Sequence, residues 1–106
     1  MEYICIYMTA ASRQEAENIA GALLEENLVA CANICGGLDS LYWWKGKIER
    51  SAEILCIFKT TRARFADVQK RILELHSYET PCIVALPLLE GNPAYLRWIE
   101  ESTLNR

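Results

Sequence analysis

Three strand-like segments of this chain are apolar without alternation: Ile4-Cys5-Ile6-Tyr7-Met8, Ile54-Leu55-Cys56-Ile57-Phe58 and Cys82-Ile83-Val84-Ala85-Leu86. A strand sends successive side chains to opposite faces, so a sheet with one wet face alternates apolar and polar residues. These segments offer apolar residues to both faces. Burying one such side chain contributes roughly 1.5–3 kcal/mol, so a β-layer left half wet forfeits a large stabilisation. A chain of 106 residues is expected to be one domain, spanning 1–106, and 52% of it is apolar, above the usual share for a domain of this size. Something beyond the chain itself must cover the second face, and self-association is the economical cover.

The remaining segments fit around this β-layer in a definite order. Residues 3–9 read as a strand. Ser12 is an N-cap candidate and Glu15, three residues on, completes a capping box. Ala16, Ile19, Ala20, Leu23 and Leu24 then recur at helical spacing, predicting a helix from about 13 to 26 with Asn27 as its stop. Residues 29–44 are extended, interrupted by Gly36-Gly37, a candidate bulge or bend. Lys45-Gly46-Lys47 is a tight turn, and residues 48–60 return as a strand, giving a long hairpin. Phe65, Val68, Ile72 and Leu75 mark a second amphipathic helix. After His76-Ser77-Tyr78-Glu79-Thr80-Pro81 comes a last apolar strand, 82–87, limited by Pro87. Asn92 caps a short final helix with Pro93 at its first position.

The order β-α-β-β-α-β is the ferredoxin-like α+β plan, with an antiparallel sheet and both helices on one side because crossovers are right-handed. The final helix is too short to cover the other side alone. Consecutive Leu41, Tyr42, Trp43 and Trp44 project from both faces of the hairpin, so at least one tryptophan must find apolar contact beyond the local core.

Several function classes are disfavoured. The net charge is −3, whereas nucleic-acid binding needs a basic stripe, and the basic run Lys59 to Arg64 reads as a solvated strand end and first helical turn. No RNP-type basic-aromatic strand is present either. No apolar stretch approaches the ~20 residues that cross a bilayer. Met-Glu-Tyr carries no basic leader into the first strand, so the expected location is the cytoplasm. Five cysteines, Cys5, Cys31, Cys35, Cys56 and Cys82, include no Cys-x-x-Cys pair and read as reduced, mostly core thiols. Cys31 and Cys35 share one side of a strand but stand ~13 Å apart. No nucleophile elbow, phosphate-cradling loop or paired metal motif argues for an enzyme.

The segments Ala30-Cys31-Ala32-Asn33-Ile34 and Ser40-Leu41-Tyr42-Trp43-Trp44-Lys45-Gly46-Lys47-Ile48-Glu49 resemble the central hairpin of the CutA divalent-cation-tolerance family. Lys59-Thr60-Thr61, His76 to Pro81, Ala85-Leu86-Pro87, Glu90 to Leu96 and Trp98 are similar to that family's pattern in order and spacing. The resemblance implies a ferredoxin-like protomer with a long hairpin and an extra C-terminal helix, in a homotrimer similar to PII-type signalling proteins. It implies an association with tolerance of divalent metals, copper especially.

The same resemblance directs attention to particular residues. His76 is the sole histidine, and Cu²⁺ favours imidazole. Glu79 and Met8 are further candidate donors for a copper cation, although Met8 and Leu75 stand where the copper-associated pattern has a cysteine and a second histidine. The other reading of His76 is a helix-end residue bonded to nearby carbonyls. Lys59, Tyr42, Trp44, Tyr78, Glu79 and Trp98 match positions near the cleft between subunits. They read either as a pocket for a small anionic ligand, with Lys59 as its cation, or as an interface held by a buried Lys59–Glu79 pair and aromatic anchors. The functional alternatives are therefore a metal- or ligand-responsive trimer and a structural trimeric interaction module with no metal site of its own.

Overall fold

The computed structural model describes residues 2–104. Ser12 caps the first helix, its Oγ accepting the Glu15 N–H at 3.1 Å, and the helix α1 spans Arg13–Glu25 after strand β1, Tyr3–Ala10. The capping box closes differently from the expected one. Glu15 reaches past Ser12 to the Ala11 N–H at 3.2 Å, while its second oxygen takes the Ser77 N–H at 2.8 Å. One carboxylate thus ties the start of α1 to the segment that follows the second helix. Asn27, at φ 57°, ends α1. With it, the Asn27 N–H bonds the Leu24 carbonyl and the Leu28 N–H bonds the Leu23 carbonyl, the two bonds of a Schellman motif.

Strands β2 (Cys31–Trp44) and β3 (Lys47–Thr61) form the hairpin. Its turn has positive φ at both Lys45 (50°) and Gly46 (80°), as a two-residue type I′ turn demands. A 3-10 turn at Arg62–Arg64 leads into α2, Phe65–Leu75, then come β4, Ile83–Pro87, and α3, Pro93–Ser102. Asn92 caps α3 through the Ala94 N–H, with Pro93 at the first position. The sheet order is β2-β3-β1-β4, antiparallel throughout, which together with α1 and α2 is the ferredoxin-like plan. Pro87 is tolerated because β4 is an edge strand.

Ile4, Ile6 and Met8 of β1, Cys56 and Phe58 of β3, Ala16, Ile19 and Leu23 of α1, and Val68 and Ile72 of α2 form the main core. Leu24 and Leu75, expected on the apolar stripes, lie at the flanks instead and are 39% and 38% exposed. The opposite face carries Tyr3, Cys5, Tyr7, Leu55, Ile57, Val84 and Leu86, by alternation with the core residues. Helix α3 covers only one end of it, where Ile99 is fully buried outside the main core. Val84 and Leu86 remain about half exposed.

Between Cys35 and Leu38 the pairing slips: three steps along β2 match two along β3, so one extra residue bulges at Gly36-Gly37, with Gly37 at φ 85°. Because strand faces have period two, this residue exchanges the faces of everything beyond it. Cys31, Asn33 and Cys35 share the open face before the bulge. After it, Leu38, Tyr42 and Trp44 do, opposite Glu53, Glu49 and Lys47. Among the described residues no third strand accompanies the hairpin beyond the Ala10–Ile54 pair, and it projects as a two-stranded arm; the molecule, arm included, is 44 Å in its longest extent.

Candidate functional site

The bulge, the base of the arm and the segment after α2 together enclose an open groove of about 990 Å³. Tyr7 and Thr9 of β1 and Glu53 of β3 line it from the sheet, Tyr42 and Trp44 from the arm, and Tyr78, Glu79, Pro81 and Cys82 from the segment between α2 and β4. Four of the six residues anticipated for a cleft therefore meet here: Tyr42, Trp44, Tyr78 and Glu79. Lys59 and Trp98 do not.

Glu53 is the group that sequence reasoning missed. It is only 8% exposed, and its Oε2 accepts the Tyr78 hydroxyl at 2.7 Å. Burial, reinforced by this hydrogen bond to a carboxylate, pushes the Tyr78 phenol well above its ordinary value, so it stays a donor. Burial and the same carboxylate also raise the Cys82 thiol. The signal was present in the sequence. The glycine pair, counted as one extra residue, puts Tyr42 and Trp44 on the face of Glu53.

The position of Tyr78 depends on His76. The Tyr78 N–H donates to His76 Nδ1 at 3.1 Å, which leaves the ring proton on Nε2, and Nε2–H donates to the Thr9 carbonyl at 2.8 Å. Both imidazole nitrogens are therefore engaged, and a metal there would have to break one of these bonds. Met8 is fully buried on the helix-facing side of β1, while Glu79 is exposed at the groove. Among the described residues no group of three or more His, Cys, Asp or Glu side chains is placed to hold a metal ion. The residues anticipated as copper donors do not offer a ready ligand set within the protomer. His76 stands at the C-cap of α2, and its ring pins 76–78 onto β1.

Lys59 and Trp98 belong to a second cluster at the α3 end of the open face. Lys59 Nζ donates to Asn33 Oδ1 at 3.0 Å, lies 3.8 Å from Cys31 Sγ and sits 5.9 Å from the centroid of Tyr95. Tyr95 stacks tilted against Trp98 at 5.3 Å. No Lys59–Glu79 pair forms within the protomer, because Lys59 is held by its β2 neighbours. The cation expected to neutralise an anion in the groove is not in the groove.

A ferredoxin-like sheet with a bulged, projecting hairpin and a helix docked on one end of its open face defines the class of α+β protein to which the chain belongs. The model of the CutA1 divalent ion tolerance protein family matches residues 4–102, and the chain belongs to that family. It is 47% identical over 97 residues to the divalent-cation tolerance protein CutA of Archaeoglobus fulgidus, covering 92% of this chain and 94% of that one. It is 45% identical over 98 residues to the corresponding Thermus thermophilus protein, covering 92% and 95%. Among solved structures, the periplasmic divalent cation tolerance protein CutA of A. fulgidus superposes with TM-score 0.94 at 45% identity, over 96% of this chain and 99% of that one. CutA1 of Oryza sativa superposes with TM-score 0.95 at 35% identity, over 100% and 97%.

Proposed function

We propose that this protein acts in divalent-cation tolerance as a homotrimer, with the groove beside the arm forming part of a ligand cleft at the subunit boundary. The observation that carries the reading is the open sheet face. Cys5, Tyr7, Leu55 and Ile57 line it without full cover, Val84 and Leu86 on it are about half exposed, and Leu41, Trp43 and Ile48 on the other face of the arm are exposed by more than half. Burying such a surface between copies recovers a stabilisation that a monomer lacks. The arm has free edges on both strands, so it can pair with a neighbour's sheet as well as pack on it. In such an assembly the Lys59–Tyr95–Trp98 cluster of one copy and the groove of another can border the same cleft.

The pairing of both His76 nitrogens favours a tolerance role in which the trimer carries no preformed copper site of its own. Sedimentation equilibrium tests the assembly, with three copies expected at micromolar concentration and a monomer overturning it. Titration of Cu²⁺ by calorimetry tests the metal side. Wild type and His76→Ala are expected to give the same affinity, and a tenfold or larger loss in the variant would assign the imidazole to copper.

A further inference from the structure

We propose that His76 is an acid-sensitive latch on the groove: a proton taken up at Nδ1 breaks its bond to the Tyr78 N–H and releases the wall that Tyr78 forms. This goes beyond the assembly reading and rests on one part of it, that the imidazole holds no copper.

Two bonds fix the ring. A carbonyl can only accept, so Nε2, 2.8 Å from the Thr9 oxygen, carries the proton. The Tyr78 backbone N–H can only donate, so Nδ1, 3.1 Å away, must be bare. The fold therefore selects the neutral ring in one tautomer. An imidazolium carries a hydrogen on both nitrogens, and the one on Nδ1 would point at the hydrogen of Tyr78. The geometry is that of an Asx turn with histidine in the place of asparagine. His76, at φ −80° and ψ 141°, accepts through its side chain from the N–H two residues on.

This turn sets the wall of the groove. The Tyr78 ring packs tilted against the imidazole with centroids 4.7 Å apart, and its hydroxyl donates to Glu53 of β3 at 2.7 Å. Opening the turn moves the side chain that caps that carboxylate. The surroundings also give the new N–H a place to go. Glu15 of α1 already takes the Ser77 N–H at 2.8 Å and is close enough to feel a charge on the ring. Its carboxylate is the acceptor for Nδ1–H once Tyr78 is let go. Charged neighbours in the chain are engaged elsewhere. Glu74, on the last turn of α2, pairs with Arg71 at 3.6 Å, and a guanidinium nitrogen of Arg13, at the start of α1, lies beside Gly36. Strand β1 meets the ring with the uncharged Thr9 carbonyl.

The test is an NMR titration of the full-length protein in EDTA, between about pH 8 and 5, where an imidazole ordinarily changes charge. His76 is the only histidine, so its ring signal identifies itself. The Tyr78 amide is expected to shift with the same midpoint as the ring. Its protection from hydrogen exchange, corrected for the intrinsic rate, should fall by about fivefold or more across that midpoint. His76→Asn keeps an acceptor for the Tyr78 N–H and cannot titrate, so its Tyr78 amide is expected to stay protected throughout. A ring that does not titrate, or a Tyr78 amide that ignores its titration, overturns the proposal. A His76→Asn protein that keeps the wild-type response does so too, because it moves the titrating group to Glu15 or Glu53. Should that variant fail to fold, the two wild-type midpoints decide, and their separation overturns the latch. Adding Cu²⁺ without EDTA checks the metal-free reading separately. Selective broadening of the His76 ring would overturn that reading, while the titration in EDTA still decides the latch.

Discussion

Glu15 joins three backbone regions with one carboxylate, and its titration reports that junction. Burial on its own would raise its pKa above the ordinary 4.5. The hydrogen bonds from Ser77 and the Ala11 N–H more than offset this and hold it lower. A group depressed on folding stabilises the protein fully above its unfolded value and loses that contribution as the pH falls through the folded one. Glu15→Gln is therefore expected to lower stability by about 1 kcal/mol near neutrality, the scale of a helix-cap contact. The gap from wild type should close as the pH drops below 4.5, as read by thermal melts at a series of pH values. A gap that stays constant down to pH 3 would mean that the carboxylate charge plays no part. At this scale the sequence was only half legible. Ser12, Glu15 and Asn92 announced their caps by spacing alone, because a cap is a local contact. His76, Glu53 and Lys59 find their partners on β1, α2–β4 and β2, and no local pattern encodes such pairings.

Elements were read more securely than residues, because hydrophobic period and turn chemistry are local. The helix expected at 13–26 and the hairpin expected to turn at Lys45-Gly46-Lys47 stand within a residue or two of their bounds, and the final helix begins at Pro93 behind its Asn92 cap, as expected. The consequence of Gly36-Gly37 was harder to see. A bend and a one-residue bulge look alike in sequence, yet only the bulge exchanges faces and brings Tyr42 and Trp44 onto the face of Glu53. The two glycines also have separable roles. Gly37 holds φ 85° with nothing within 4 Å of an added Cβ, so its demand is purely conformational. Gly36 has no positive φ, and an added Cβ there would meet Ile54 Cδ1 and an Arg13 nitrogen at ordinary contact distance, 3.6 and 3.7 Å. Gly37→Ala is expected to cost roughly 1–2 kcal/mol in chemical denaturation, and Gly36→Ala less than about 0.5 kcal/mol. Equal costs would show that the left-handed conformation at Gly37 does not set the bulge.

For the whole molecule, the apolar character of both sheet faces was the most informative thing in the sequence, and the structure explains how little of it one copy can resolve. Helices α1 and α2 bury the face that carries Ile6, Met8 and Phe58, while α3 closes one end of the other around Ile99. Composition could ask for a cover but not say how many copies supply it, since that number depends on the angle between neighbours and not on area. If copies cover one another, stability becomes a function of concentration. The melting temperature is expected to fall by roughly 4 °C for each tenfold dilution where unfolding is reversible. A value independent of concentration over two decades would mark a self-sufficient monomer. The projecting arm carries a further consequence. It reaches outward from one side of the body, and if it meets a different patch on a neighbouring copy, that contact joins unlike surfaces, head to tail. Such a contact closes into a ring only when the rotation it imposes divides a full circle, and otherwise propagates as a filament. A bulge bends and twists the strand that contains it. In an assembly built on such a contact, one inserted residue at Gly36-Gly37 would help choose between a finite particle and an endless fibre.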